Sequence, residues 1–590
     1  MTKIKEHPAR VPYNQSMPSF SLAPVPPVRF PVVIERTRAI DANGAVDAES
    51  ENARGWLTLA VGSLVLAGLL SLSVVIGRLP VLSRIIDDPL FFKRCLVVHV
   101  DLALVVWFYA FMAALLAVDR ATSRGAWIPL ALSAGGVLAM LAGALARGAQ
   151  PILANYIPVI DQPVYRLGLA AFSAGVLLTF VRALATPARC SPSALPADAD
   201  TGLRAAAVLV MAAAATWVSA RAGLPDGLDG HTRAEFLAWG PGHVLQAANT
   251  AAMLAVWLWL AHQATGTAVL SRRGAAAVFA ALVLPHCAMP LLTARGTLDT
   301  LYHSGATLLM RWTIFPALLF VLAACARHLW RHRAQGGVIF GGPASVRAAD
   351  DTEVVPPEFV RTTPPCHRAT KVGCDLASQR EATSATSLRG ERATNTAGAR
   401  ASEFRPGKRA DNSSPAARLA TAGFGGSAAL AVLGIALGAS IRGSTTMVPA
   451  HYHASLGAVT LAFMTAAYFI CARARQLDRA LVLPDKLWRL ARRQVTLFGV
   501  GQTIFALGFA LGGAYGLGRK AYAGEQHVHG AGELLGLIVM GVGGLVAAAG
   551  GLWFLFLILR ELRAWWRRDD VGDVPPSPRT ASSVKPSHAG

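Results

Sequence analysis

The chain has 590 residues, of which 53% are hydrophobic and only 15% charged, too apolar for a soluble protein of this length. Its formal net charge of +21 sits in the termini and in one long loop, which argues against nucleic-acid binding and for basic segments beside membrane spans. The seven cysteines show no disulfide framework, and no Cys-x-x-Cys-His stretch offers attachment of a c-type haem.

Residues 1–55 are polar and Pro-containing with no apolar core. They read as a cytoplasmic tail without packed structure, not as a secretory signal. Eight apolar segments follow, at about 56–78, 95–118, 126–146, 165–185, 203–222, 236–262, 275–293 and 301–326, each long enough to cross a hydrocarbon core of about 30 Å. Residues 327–416 are rich in Arg, Ala, Ser, Thr and Gly and poor in aromatic and branched side chains. This composition predicts a disordered basic cytoplasmic loop. Its Cys366, His367 and Cys374 are too few and too scattered for a metal site. Four more segments, at about 417–440, 451–472, 494–516 and 531–560, complete a second membrane part over 417–562. A basic tail over 563–590 ends the chain. The expected fold is an all-α integral membrane protein, a twelve-helix transmembrane bundle.

Orientation follows from Lys and Arg. With the N-terminus inside, the inside segments hold Arg120, Arg124, Arg272, Arg273, the basic run Arg473–Arg493 and the tail from Arg560. Both termini are therefore expected in the cytoplasm, as in a bacterial-type inner membrane protein.

On that topology His99, His243, His286, His303, His451 and His453, from five helices, fall in the outer third of the membrane. Coordinating side chains in lipid are costly and usually functional. His451 and His453 flank Tyr452 at the head of an apolar run. Two residues apart on a helix, their side chains leave about 200° apart, so they suit two different metal centres better than one. Neutral imidazole binds haem iron and copper well. His527 and His529 lie in an outer polar loop and read as solvated or as contacts to haem propionates.

Four segments carry a family resemblance: VVHVDLALVVWFYAF with His99, WGPGHVLQ with Gly242 and His243, LPHCAMPLL with His286 followed by TLYHSGATLL, and VPAHYHASLGAVTL with His451 and His453. Together they resemble subunit I of the haem–copper oxidase superfamily, in its divergent B-type and nitric oxide reductase-like branches. The resemblance implies two haems, b-type or related. His99 and His453 would clasp the low-spin haem and His451 would hold the high-spin haem. It also implies copper or non-haem iron at a second metal site on His243 and His286. Where the family has two adjacent histidines this chain has His286 and Cys287, so Cys287 or His303 is the candidate further ligand; a small apolar filler is the other reading of Cys287. Arg442 is a candidate partner for a haem propionate, or a solvated arginine. Asp101 would orient a ligand or line a water pocket. Arg311, mid-span, reads as a buried arginine in need of a partner. Trp107, Trp257 and Trp259 read as packing.

The family's oxygen-reducing B-type members carry a tyrosine four residues after the sixth-helix histidine; Ala247 stands there. The implied activity is an oxidoreductase, a respiratory terminal oxidase drawing electrons from a cytochrome c or quinol donor subunit and reducing oxygen to water, with small accessory subunits and membrane lipid as partners. Nitric oxide reduction and a degenerate, non-catalytic haem-binding protein are the alternatives. A twelve-span transporter ranks last, since it predicts broken helices and midplane charges.

Overall fold

The structure is a computed structural model that describes residues 44–76, 90–118, 125–186, 195–337, 414–479, 483–519 and 528–567. The N-terminal tail to residue 43, loop residues 338–413, His527 and the tail beyond 567 lie outside the described residues. Among the described residues, twelve helices are long and apolar enough to cross a membrane. They are α1 (Glu51–Ser73), α2 (Phe91–Ala117), α3 (Trp127–Ala144), α4 (Pro163–Ala185), α5 (Ala197–Ala222) and α6 (Gly230–Thr265). The second six are α7 (Arg272–Thr293), α8 (Thr300–Ala334), α9 (Pro415–Ala439), α10 (Met447–Arg473), α11 (Asp485–Ala514) and α12 (Ala531–Trp566). The helix of α8 continues to Gly337, into the first residues of the expected loop.

Their ends follow from local chemistry. Asp229 caps α6 by accepting from the backbone N–H groups of His231 and Thr232, at 2.9 and 3.1 Å. Asp299 caps α8 through Leu301 N–H at 2.7 Å, and Ser414 caps α9 through Ala417 N–H at 3.1 Å, with Pro415 at the first helical position. Gly266, at φ 76°, closes α6 in the left-handed region open to glycine.

Consecutive helices pack as antiparallel neighbours, α3 on α4, α5 on α6, α9 on α10 and α11 on α12. The interior belongs to three of the twelve. The apolar windows of α2, α6 and α10 are each 83% buried, whereas no other helix exceeds 56%. Trp107 and Phe111 of α2 meet Phe463 of α10 and Phe554 of α12 there, with Phe111 stacked on Phe463 at 4.7 Å between ring centres. Trp257 of α6 is buried and donates its indole N–H to Ser427 of α9 at 2.8 Å. These tryptophans pack the core, as their sequence context predicts. Five of the six outer histidines sit on, or in contact with, these central helices.

A short hairpin joins α3 to α4. Its strand β1 (Gln150–Ile152) pairs antiparallel with β2 (Val159–Asp161), Gln150 opposite Asp161. It lies at the end of the bundle where α2 and α6 begin, and its tip carries Asn155 and Tyr156.

Candidate metal centre

Five of the six histidine rings are held by backbone carbonyls. His99 of α2 has Nδ1 at 2.8 Å from the Ala67 carbonyl of α1. His451 of α10 has Nδ1 at 2.7 Å from the Gly434 carbonyl of α9. His243 and His286 use the carbonyl one turn back on their own helices, Trp239 and Leu282, both at 2.8 Å. A carbonyl only accepts, so in all four rings Nδ1 carries the proton. A neutral imidazole so fixed offers the Nε2 lone pair, the atom a metal takes, and the carbonyl sets the ring's orientation. His303 is turned the other way: its Nε2 lies 3.0 Å from the Thr297 carbonyl, which leaves Nδ1 as the acceptor.

The six rings fall into three settings. His99 and His453 lie within Coulombic range of each other. The His453 ring stacks on Phe509 of α11 at 5.2 Å with Phe505 edge-on at 4.9 Å, and Gln502 donates to the His453 carbonyl at 2.8 Å. His451 points instead into α9. Gly438 makes room for it, since a Cβ there would stand 2.7 Å from His451 Nδ1. The two rings thus leave α10 toward different neighbours, as their spacing predicts. The third setting holds His243, with His286 and His303 within Coulombic range. Trp239 stands between His243 and His303, at 4.9 and 5.1 Å.

Buried atoms without partners mark this interior. His286 is 1% exposed and its Nε2 has no hydrogen-bond partner. Gln246 Oε1 and Asn249 Oδ1, three and six residues beyond His243 on α6, are buried and unpartnered as well. A buried polar atom left unmade costs about 1–3 kcal/mol. The donor set fits imidazole-ligated haem, with lone pairs aimed by fixed tautomers and one Nε2 lacking any protein partner. For the second metal the donors are near one another but not assembled. Among the described residues no three His, Cys, Asp or Glu side chains close into a metal cage.

Three expectations are corrected. Cys287 is exposed, whereas His286 is buried. Adjacent helical residues diverge by about 100°, so the thiol turns away from the His286 side. Arg311 is exposed on the outward stripe of α8, beside Trp312, and not buried. It lies in a π-helical turn, Met310–Ile314. Asp101 is fully buried, but it accepts a hydrogen bond from the Tyr165 hydroxyl of α4 rather than orienting His99. Arg442 stands exposed in the turn before α10, and His529 donates its backbone N–H to Glu533 at 2.8 Å.

One residue escaped the sequence. The Tyr156 hydroxyl lies 3.1 Å from His243 Nε2. Its ring packs against the bare Cα of Gly242 and meets Trp239 edge-on at 5.8 Å. Glu235 of α6 holds the hairpin tip in place, accepting from Asn155 N–H at 2.9 Å and Asn155 Nδ2 at 3.0 Å. Burial, with the Glu235 carboxylate nearby, pushes the Tyr156 hydroxyl well above the usual tyrosine range, so it stays protonated. A lone tyrosine in a loop, 87 residues from its partner, leaves no periodic signal.

No protein-family model matches the chain. An uncharacterized protein of Aquifex aeolicus (strain VF5) is 29% identical over 208 residues, 35% of this chain and 52% of that protein. The uncharacterized protein RP382 of Rickettsia prowazekii (strain Madrid E) is 29% identical over 157 residues, 22% of this chain and 31% of that one. The chain thus spans about half and about a third of the curated relatives it matches. A solved heme-copper terminal oxidase dimer superposes with a TM-score of 0.55 over 88% of this chain and 84% of that chain, at 16% identity. At that identity the likeness is one of architecture: the chain has the twelve-helix membrane fold of that terminal oxidase.

Proposed function

We propose that the chain is the catalytic subunit of a respiratory terminal oxidase. It would take electrons from a cytochrome c or quinol donor through one haem to a second haem and adjacent metal, where oxygen is reduced to water. The observation that carries this reading is the shared setting of His99, His286 and His451, each with Nδ1 committed to a carbonyl and Nε2 left for a metal, with His243 anchored the same way and its Nε2 facing the Tyr156 hydroxyl.

His99 and His453 would hold the low-spin haem, b-type or related. His451 would hold the high-spin haem. His243 and His286, with His303 alongside, would hold copper or non-haem iron. When bound, these groups supply the electron transfer and the oxygen chemistry.

The protein's own part is orientation, exclusion of water and proton placement. Carbonyl anchors fix the tautomers of the imidazoles and keep the rings aimed. The burial of α2, α6 and α10 keeps the centre dry, which strengthens every charge interaction inside it. Tyr156 keeps a proton on its hydroxyl at the outer side of His243, where the Glu235-anchored hairpin holds it. Electrons would arrive from a separate donor subunit, with small accessory subunits and lipid completing the complex in a bacterial-type inner membrane, both termini cytoplasmic. Arg442, exposed before α10, is left as a propionate partner only if the bound haem reaches the outer turn.

One observation favours nitric oxide as acceptor instead. Gln246, three residues beyond His243 on α6, presents an unpartnered amide oxygen, a hard donor that suits non-haem iron. Oxygen and nitric oxide consumption by purified protein with a reduced donor, alongside metal analysis, separates the readings. Oxygen uptake with copper supports the oxidase. Nitric oxide uptake with extra iron supports the reductase. Haem without turnover of either gas overturns both in favour of a non-catalytic haem protein.

A further inference from the structure

At the opposite end of the bundle from the histidines, three arginines from three helices line one cavity. Arg333 lies in the last turns of the α8 helix, Arg418 in the first turn of α9, and Arg492 two turns into α11. With Thr421 and Ala422 they line an open cavity of about 270 Å³, and all three arginines are exposed. Even-numbered helices end, and odd-numbered helices begin, on the same face, so chain order alone puts all three at one membrane surface.

The three guanidiniums carry three positive charges around this space. Among the described residues none of them meets a carboxylate; the acidic partners present belong to other arginines, as in Arg204–Asp200 and Arg295–Asp299. Like charges gathered around one open cavity repel, and an anion entering it lowers that cost. Guanidinium matches phosphate in shape and bonds it through paired N–H groups, with more geometric specificity than an ammonium. Basic pockets between membrane helices at the headgroup level are where anionic lipid headgroups bind.

We propose that this cavity is a phosphate-binding site, with a charge that favours two phosphates over one. Two sources carry that chemistry, the headgroup of an anionic lipid reaching in from the bilayer and a soluble diphosphate arriving from the aqueous side. The site is independent of the metal centre and of its reading as an oxidase.

The test uses the full chain, purified and exchanged into lipid-free detergent at low salt. Thermal unfolding is followed by tryptophan fluorescence during titration with cardiolipin, with phosphatidylcholine, or with inorganic pyrophosphate. Cardiolipin should raise the midpoint and phosphatidylcholine should not. The Arg418→Gln/Arg492→Gln variant should need about tenfold more cardiolipin for the same rise, or more. Arg489→Gln, one turn earlier on α11 and outside the cavity lining, should respond like wild type. A rise with pyrophosphate but not with cardiolipin supports the site and assigns it to the soluble anion. Equal responses of wild type and double variant to both ligands overturn the proposal. So does a response to phosphatidylcholine equal to that with cardiolipin. A single Arg333→Gln variant gives the same reading should the double variant fail to fold.

Discussion

The Tyr156 hydroxyl donates to Nε2 of His243 across 3.1 Å, and the direction of that bond is fixed. His243 Nδ1 faces the Trp239 carbonyl and must carry the ring proton, so Nε2 is the acceptor. The phenol therefore touches the one atom of His243 through which a metal would bind. Ala247 removes the tyrosine that the family resemblance leads one to seek on α6, and the hairpin brings a different one to the same imidazole from outside the helix. Tyr156→Phe is expected to leave both haem spectra intact and to lower turnover by about 100-fold, the scale of a lost positioned proton donor. Stopped-flow oxygen consumption measures it. Unchanged turnover would make Tyr156 a packing residue.

His286 and Cys287 are adjacent in sequence and opposite in setting. His286→Ala is expected to lower the copper or non-haem iron content of the purified protein by at least half while leaving the low-spin haem. Cys287→Ser should change neither. Elemental analysis beside haem extraction reads both variants; metal loss on Cys287→Ser would reinstate the thiol as a ligand.

Gly438 lies where α9 gives way to His451. Gly438→Ala puts a methyl group 2.7 Å from Nδ1, so the ring or the helix must move. A cost of about 1–3 kcal/mol is expected. The high-spin haem should lose carbon monoxide reactivity while the low-spin spectrum persists. Denaturant unfolding and carbon monoxide difference spectra measure the two effects separately.

Asp229 and Asp299 cap the helices that carry His243 and His303. Hydrogen bonds from Thr232 hold the Asp229 carboxyl below its usual range, and those from Leu301 and Arg295 do the same for Asp299. A carboxyl lowered on folding adds stability that is complete above its unfolded value, near pH 4, and is lost as the pH falls through the folded one. Thermal midpoints of the wild type should therefore drop between about pH 5 and pH 3. Asp229→Asn and Asp299→Asn should start lower and drop less. Parallel curves for wild type and variants would contradict the assignment.

Arg311 faces outward near the middle of α8's apolar stretch. An arginine at that depth costs about 2.5–3.5 kcal/mol on insertion scales. In reconstituted vesicles of the purified chain, Arg311→Leu is expected to raise unfolding stability by up to that amount. A loss of stability would show that a partner pairs with the guanidinium.

How far the sequence could be read depended on the range of the interaction. The twelve spans follow from runs of apolar residues, a local signal, and they agree with the observed helices to within about two turns, except that α11 begins at Asp485 and α8 runs on to Ala334, each more than two turns beyond the expected bound. The opposed rings of His451 and His453 follow from helix geometry alone. The exposure of Arg311 is not legible, because a charge mid-span says nothing about which way its helix face turns. The exposure of Cys287 is not legible either, since a family pattern of adjacent ligands does not fix the facing of a residue at which the helix breaks. Tyr156 and its Glu235–Asn155 anchor join a hairpin to a helix 80 residues away, a contact that neither periodicity nor spacing encodes.

α10 is proposed to serve two haems from its two sides, and optical spectra of single variants test that most directly. His99→Ala and His453→Ala should each abolish the low-spin haem spectrum and leave carbon monoxide binding in place. His451→Ala should abolish carbon monoxide binding and leave the low-spin spectrum. If His451→Ala and His453→Ala remove the same spectral component, or if the purified wild type binds no haem at all, the account is contradicted.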